Sequence, residues 1–441
     1  MKLKRVLIIT YYWPPAGGGG VQRWVKFVKY LRDFGWEPIV FTAKNAEYPI
    51  IDTTLANEIP PDVEVLKVPV IEPYQLYKRF VGKDKNERID ANFLSQGKKL
   101  GWKDRLAVWI RGNLFIPDAR SFWINPSVRF LDRYLISNRV DAMISTGPPH
   151  SCHMIALGVR RRHALPWIVD YRDPWTQIDY FDDLRLTSWA RNLHYKMEKQ
   201  VLDTCDTVVT VGKTMAHDLN ALTTTPKKVI TNGFDEADRN EDENNVSSDF
   251  SIVYIGTMND SRNPLVLWKA LSELNEENHP IIQRLRVKLV GKPEAVVRES
   301  VIQHDVQDLV EFVGYVSHQE AIEYQNKASV LLLIINHTSN NKSILTGKIF
   351  EYLASGRPIL CIGPEDGDAA DILHSSGHQA VFDYEDVKGV KSWLVIQFEK
   401  VGDEHTESRP LQPEVLQYSR KNLTEKLAAL LDELTLKKCG S

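Results

Sequence analysis

The chain is 441 residues long, 43% hydrophobic and 26% charged, with a formal net charge of -3. This is an ordinary soluble composition on a chain longer than one hydrophobic core usually supports, so two domains are expected, and no nucleic-acid partner. The four cysteines, Cys152, Cys205, Cys361 and Cys439, are scattered without a CxxC pair, which points to reduced thiols in the cytoplasm and argues against a zinc knuckle.

Taken in chain order, Val6 to Ile9 is an apolar run too short for a signal peptide or a membrane span, and it fits a buried first strand. Tyr11 to Gly20 follows as a loop with two prolines and four successive glycines. Val21, Trp24, Val25, Val28 and Leu31 then recur at helical spacing until Gly35 stops the helix, and Pro38 to Thr42 reads as the next strand. Strand, glycine loop, helix and strand open a doubly wound α/β domain. GGGG is not GxGxxG and no acidic residue ends the second strand, which disfavours a nicotinamide site.

Val63 to Val68 is a further strand. The segment Glu72 to Asn125 is aromatic and basic with poor periodicity, and within it Leu100 to Phe115 reads as an amphipathic helix that packs on its own domain or lies on a membrane surface. Residues 1–200 carry 31 Lys and Arg against 21 Asp and Glu, whereas the remainder carries 24 against 37. A basic first half suits an anionic substrate or membrane, although distributed surface charge is the commoner cause.

Ala142 to Ser145 is a short strand leading through Thr146, Gly147, Pro148 and Pro149 to His150 and a helix from about Ser151. The strand Trp167 to Asp170 delivers Tyr171, Arg172, Asp173, Pro174 and Trp175 at its C-terminal end. Ligand groups of open α/β sheets gather at such ends, which singles out His150 and Asp173. After further helices and strands to Ile230, the acidic stretch Asp235 to Asp249 has no apolar period and marks the domain boundary. The second half restarts the pattern, with strands at Ser251–Ile255, Val287–Val290, Leu309–Phe312, Ser329–Ile335 and Ile359–Ile362, and Glu414 to Leu434 reads as one long closing helix.

Within that half, Asn341 to Cys361 reads as a loop with Gly347, a helix carrying Lys348 and Glu351 on one face, a stop at Gly356 and a new strand. A loop entering a helix N-terminus favours an anion, and a lysine there adds a point charge suited to phosphate.

In this order and spacing, Tyr12–Gly20, Ser145–Ser151, Asp170–Trp175, Thr231–Asp235, Tyr254–Pro264, Phe312–Ser317 and Ser343–Pro358 together resemble the retaining glycosyltransferases of the GT-B fold often called family 4. The resemblance implies two Rossmann-like doubly wound parallel-sheet domains facing across a cleft. Residues 1–235 would form the acceptor side, with the closing helix packing back on it, and residues 236–412 the nucleotide-sugar side. It implies donor binding by Gly18, Gly19, Gly256, Thr257, Arg262, Gly314, Tyr315, Lys348 and Glu351, with Arg262 and Lys348 meeting the diphosphate, Glu351 the ribose hydroxyls, and the turn Phe312–Tyr315 a uracil or guanine edge. The catalytic residues it implies are His150, Asp173, Arg262 and Lys348: His150 would contact the donor sugar, Asp173 and Arg172 would orient the acceptor or the loop, and Arg172 and Trp175 would bind the acceptor. Two positions depart from the family pattern: Thr257 stands where an arginine is usual, and Ser343 where the first of two glutamates is usual.

The implied enzyme needs no cofactor or metal: it moves a sugar from a UDP- or GDP-type donor to a glycan or polyprenyl-linked acceptor in cell-surface polysaccharide assembly. It would sit in the cytoplasm or at the inner face of the membrane. The readings weighed against it are a nucleotide-sugar epimerase of the same architecture and a non-catalytic sugar-nucleotide-binding assembly protein.

Overall fold

The computed structural model describes residues 3–70, 102–178, 181–238, 249–403 and 411–439. The aromatics Tyr74, Tyr77, Phe80 and Phe93, and most of the acidic stretch after Asp235, lie outside the described residues. The chain divides into two compact units, one of residues 1–231 with 420–441 and one of residues 232–419.

In the first unit the strands are β1 (Lys4–Ile9), β2 (Trp36–Ala43), β3 (Glu64–Val68), β4 (Ala142–Gly147), β5 (Trp167–Tyr171), β6 (Thr207–Thr210) and β7 (Lys227–Val229). They form one parallel sheet in the order β3-β2-β1-β4-β5-β6-β7. Because β1 lies between β2 and β4, the strand order reverses there, and the crevice outside their C-terminal ends is where such sheets take ligands. Residues of successive strands point alternately to two cores, one around Leu7, Ile9, Phe41, Trp123 and Trp167, the other around Val6, Ile8, Trp24, Val25 and Leu427. Helix α1 (Gly19–Tyr30) buries Val21, Trp24, Val25 and Val28, the apolar stripe legible in its sequence.

The second unit repeats the arrangement with β8 (Phe250–Ile255), β9 (Leu285–Val290), β10 (Val310–Gly314), β11 (Val330–Ile334), β12 (Ile359–Ile362) and β13 (Val381–Phe382), in the parallel order β10-β9-β8-β11-β12-β13. Here the reversal falls between β8 and β11. Both faces of β11 are buried, which accounts for its unbroken VLLLI run. Helix α2 (Lys348–Ser355) ends where Gly356 takes φ 68°, a left-handed turn suited to glycine.

Two expectations are corrected. Glu414 to Leu434 is not one helix: Pro413–Leu416 and Arg420–Cys439 are separate, joined by turns in which Tyr418 and Ser419 bond back to Val415 and Leu416. The two pieces serve different cores, Val415 and Tyr418 that of the second unit, Leu423, Leu427 and Leu431 that of the first. The poorly periodic end of the aromatic segment runs into a helix, Ser121–Ser137, despite Pro126 within it. The residues of Leu100–Phe115 that are described do form a helix, Trp102–Leu114.

Candidate active site

In the second unit, the loops after β8 and β11 carry the charges. Gly256 continues β8 with φ 131°, and its N–H donates to Val290 O at 2.7 Å. A Cβ built on Gly256 would overlap Lys348 Nζ, so the lysine, coming from the first turn of α2, lies directly against the strand end. The ammonium also sits over the Tyr254 ring, 4.8 Å from its centroid. Arg262 reaches the same place from the other side of the loop: its Nε donates to Asn336 Oδ1 at 2.6 Å and its Nη1 lies 3.5 Å from Thr257 O. Burial, and then the neighbouring Arg262, lower the Lys348 pKa to about 8, with Glu351 opposing the shift. Two cations thus converge at the end of β8, close enough that Arg262 disfavours the charge on Lys348, an arrangement of the kind that attracts an anion.

Gly256→Ala is therefore expected to abolish this approach twice over, through the positive φ and through the clash with Lys348. Calorimetric titration of the variant with uridine and guanosine diphosphates should show at least about a tenfold loss of affinity, equivalent to about 1.4 kcal/mol. Unchanged affinity would mean that Lys348 does not need its place beside Gly256.

Of the remaining donor-side candidates in this unit, Gly314 and Tyr315 lie at a neighbouring strand end and Glu351 lies on α2. Gly291 N–H donates to Gly314 O at 2.7 Å, and a Cβ on Gly291 would overlap Gly256 O, so Gly256, Gly291 and Gly314 stand side by side at the C-terminal ends of β8, β9 and β10. Gly291 is absent from the expected set; a glycine directly after the apolar strand Val287–Val290, as Gly256 follows Ser251–Ile255, was its signal. Tyr315 is 83% exposed, Thr257 is exposed, and Glu351 points outward while its backbone carbonyl accepts from Gln325. Ser343 turns its hydroxyl to Asn340 O at 2.9 Å.

In the first unit, three loops meet at the strand reversal. Arg172 Nη2 donates to Pro148 O at 2.9 Å, and its guanidinium crosses Gly20 so closely that a Cβ there would overlap Nη1. Arg172 thus joins the glycine loop, the Gly147–His150 loop and the β5 end. Gly18 and Gly19 are open, with nothing near a built Cβ. His150 is half-buried at the start of the helix Ser151–Arg160 and stacks on Trp175, ring centroids 4.5 Å apart and 4° from parallel. Burial first, then His194 and Arg172, lower its pKa to about 3, so the ring is neutral at physiological pH. Asp173 is exposed at the edge of the same loop.

Trp175 departs from the direct acceptor contact expected of it. It is only 3% exposed, its indole is covered by His150, and its Nε1 donates to His194 Nδ1 at 3.0 Å. Its place is underneath His150. Sequence reading also missed the polar frame of this loop: Tyr171 and Thr176 hydroxyls donate to the buried Glu198, and Ser151 N–H and Oγ donate to Asp118 at 2.8 and 2.7 Å. Among the described residues no His, Cys, Asp and Glu side chains are grouped to hold a metal ion, and no helix is long and apolar enough to cross a membrane.

Comparison with known proteins gives this geometry a family. Residues 18–233, which include Gly18–Gly20 at the end of the glycine loop, His150 and Arg172, match the family described as glycosyl transferase 4-like domain. These residues form a glycosyl transferase 4-like domain, and the chain is a glycosyltransferase of the GT-B fold. No curated relative matches the chain. Among solved structures, this glycosyltransferase is similar to sucrose-phosphate synthase from Thermosynechococcus elongatus, with TM-score 0.61 at 13% identity over 98% of this chain and 100% of that one. Anabaena HepE, solved in complex with UDP and glucose, gives TM-score 0.59 at 13% identity over 98% and 100% of the two chains. The Escherichia coli trehalose-6-phosphate structure bound with UDP-2-fluoro glucose gives 0.55 at 10% identity over 98% and 99%. At these identities the likeness speaks for the shared fold.

Proposed function

We propose that this glycosyltransferase moves a sugar from a nucleotide-sugar donor to an acceptor hydroxyl with retention of anomeric configuration. The observation that carries the reading is the convergence of Arg262 and Lys348 on Gly256 at the strand reversal of the second unit. As the glycosidic bond breaks, negative charge grows on the departing diphosphate, and two preplaced cations stabilise it more in the transition state than in the ground state. The acceptor oxygen attacks from the face the leaving group vacates, and the departing phosphate oxygen takes the acceptor's proton.

In this reading Glu351 accepts from the ribose hydroxyls, and the Gly314–Tyr315 turn meets the base edge. Gly18 and Gly19 leave room for phosphate or sugar over backbone amides. His150, neutral and held flat by Trp175, touches the donor sugar; Arg172 and Asp173 orient the acceptor. The site uses no metal ion of its own. The uridine nucleotides bound by the structural relatives make UDP-sugars the first donors to try. A glycan on a polyprenyl diphosphate, presented at an anionic membrane surface in cell-surface polysaccharide assembly, suits the basic first half of the chain.

A thermal-shift screen of UDP-, GDP-, dTDP- and ADP-sugars tests the reading, since a ligand that binds only the folded state raises the midpoint. The His150→Ala variant is expected to keep the donor-induced shift of the unaltered protein while losing on the order of a hundredfold in turnover, the scale of a lost transition-state contact. A shift from none of the four donor classes, or loss of the shift in His150→Ala alone, contradicts these roles.

A further inference from the structure

We infer that Asn336 is a positioning residue for the donor diphosphate, acting through Arg262. The inference rests on the proposed role of Arg262, and it concerns a residue that meets no ligand in that proposal. Asn336 follows β11, across the strand reversal from the loop that carries Arg262, and its Oδ1 accepts from Arg262 Nε at 2.6 Å. One residue on, His337 N–H donates to Ser261 O at 2.8 Å, so the two loops are pinned side chain to side chain and backbone to backbone.

The Asn336 loop is itself latched from the far edge of the sheet. Tyr384, after β13, shares its hydroxyl between Ile335 O and Asn336 O, each at 3.1 Å, and accepts from Asn341 Nδ2 at 3.4 Å. The exposed His337 ring lies on the Tyr384 ring, centroids 4.2 Å apart and 15° from parallel.

An arginine on a loop otherwise sweeps a wide range of rotamers, and ordering it on each binding event costs free energy. A bond to Nε fixes the plane of the guanidinium and presents the two terminal nitrogens side by side, the fork that suits phosphate oxygens. The same latched segment continues to Lys348, so one loop sets the position of both cations. A purely structural Asn336 would bond backbone groups of its own turn; this one spends its acceptor on a charged side chain from a different strand end.

The test is isothermal titration of the full chain with UDP and GDP, and with uridine and guanosine, for the unaltered protein, Asn336→Ala, Arg262→Ala and the double variant. Asn336→Ala is expected to weaken the nucleoside diphosphate about tenfold, the scale of one hydrogen bond to a charged group, and Arg262→Ala to weaken it further. The double variant should bind no more weakly than Arg262→Ala, because Asn336 has nothing left to position. Affinity for the nucleoside should be equal in all four, and the thermal midpoint of Asn336→Ala close to that of the unaltered chain. Asn336→Ser, whose hydroxyl is too short to reach Nε, carries the same test should the alanine variant fail to fold.

Diphosphate affinity that falls in Arg262→Ala but not in Asn336→Ala, or losses that add in the double variant, overturns the inference alone. No diphosphate binding by the unaltered protein, or undiminished binding by Arg262→Ala, overturns the proposed role of Arg262 and the inference with it.

Discussion

Lys348→Ala is expected to lower turnover by about two to three orders of magnitude, the range seen when a preorganised group facing a developing oxyanion is removed, without lowering the thermal midpoint. The second expectation follows from the environment of the ammonium. Burial and Arg262 hold the Lys348 pKa at about 8, below its ordinary value of 10.5, so folding already disfavours this charge and its removal relieves the protein of it. A bound diphosphate reverses the balance and raises the pKa again. The sign of the pH dependence is then fixed. Below pH 8 the lysine is charged before the ligand arrives and affinity is flat; above pH 8 binding must take up a proton, and affinity falls by up to about tenfold per pH unit. Titrations in two buffers of different ionisation heat, from pH 7 upward, would show proton uptake growing through pH 8 in the unaltered chain and absent in Lys348→Ala. A flat profile in the unaltered protein would mean that Lys348 is not in contact with the diphosphate.

Much of this site is legible in the sequence alone, and the reason is local. The helix bearing Lys348 announces itself by Gly347 before it, Gly356 after it and an apolar stripe of Ile349, Phe350, Tyr352 and Leu353 between, all within a few residues. The glycine loop and the Arg172 loop likewise sit directly after apolar runs that could only be strands. What the sequence hides is which distant residue each of these meets. Asn336 and Arg262 are 74 positions apart, Arg23 and Asp170 are 147 apart, and nothing in either neighbourhood marks the pairing. Trp175 misleads for a related cause: an aromatic at a strand end suits a sugar, and only its burial against His150 and His194 assigns it to support. The helix Ser121–Ser137 is obscured by Pro126, which usually marks an end. The break at Gln417–Ser419 is invisible because the apolar period runs across it, although the two sides pack in different units.

Arg23→Ala is expected to destabilise the first unit by about 3–5 kcal/mol, the cost of stripping one partner from a buried ion pair. Arg23 and Asp170 have side chains only 1% and 2% exposed, with Nη2 2.9 Å from Oδ1. The carboxylate also accepts from Trp24 Nε1 at 3.0 Å and Thr146 Oγ1 at 2.8 Å, while the guanidinium donates to Ile230 O at 2.9 Å and Thr231 O at 2.6 Å. One pair therefore ties the helix after the glycine loop to the ends of β4, β5 and β7, which is the frame that carries His150 and Arg172. Losing Arg23 leaves a charge that neither Trp24 nor Thr146 can neutralise, together with two carbonyls deprived of their donor. The double variant Arg23→Met with Asp170→Asn removes both charges, so its loss in urea unfolding should be smaller than that of Arg23→Ala alone, a non-additivity expected of groups in direct contact. If Arg23→Ala lost less than about 1 kcal/mol, water would have to reach Asp170, and the frame beneath the glycine loop would be looser than its burial implies. Activity adds a separate constraint, since a variant that stays folded but lets the end of β5 move should lose turnover through His150 while still binding nucleoside diphosphate on the second unit.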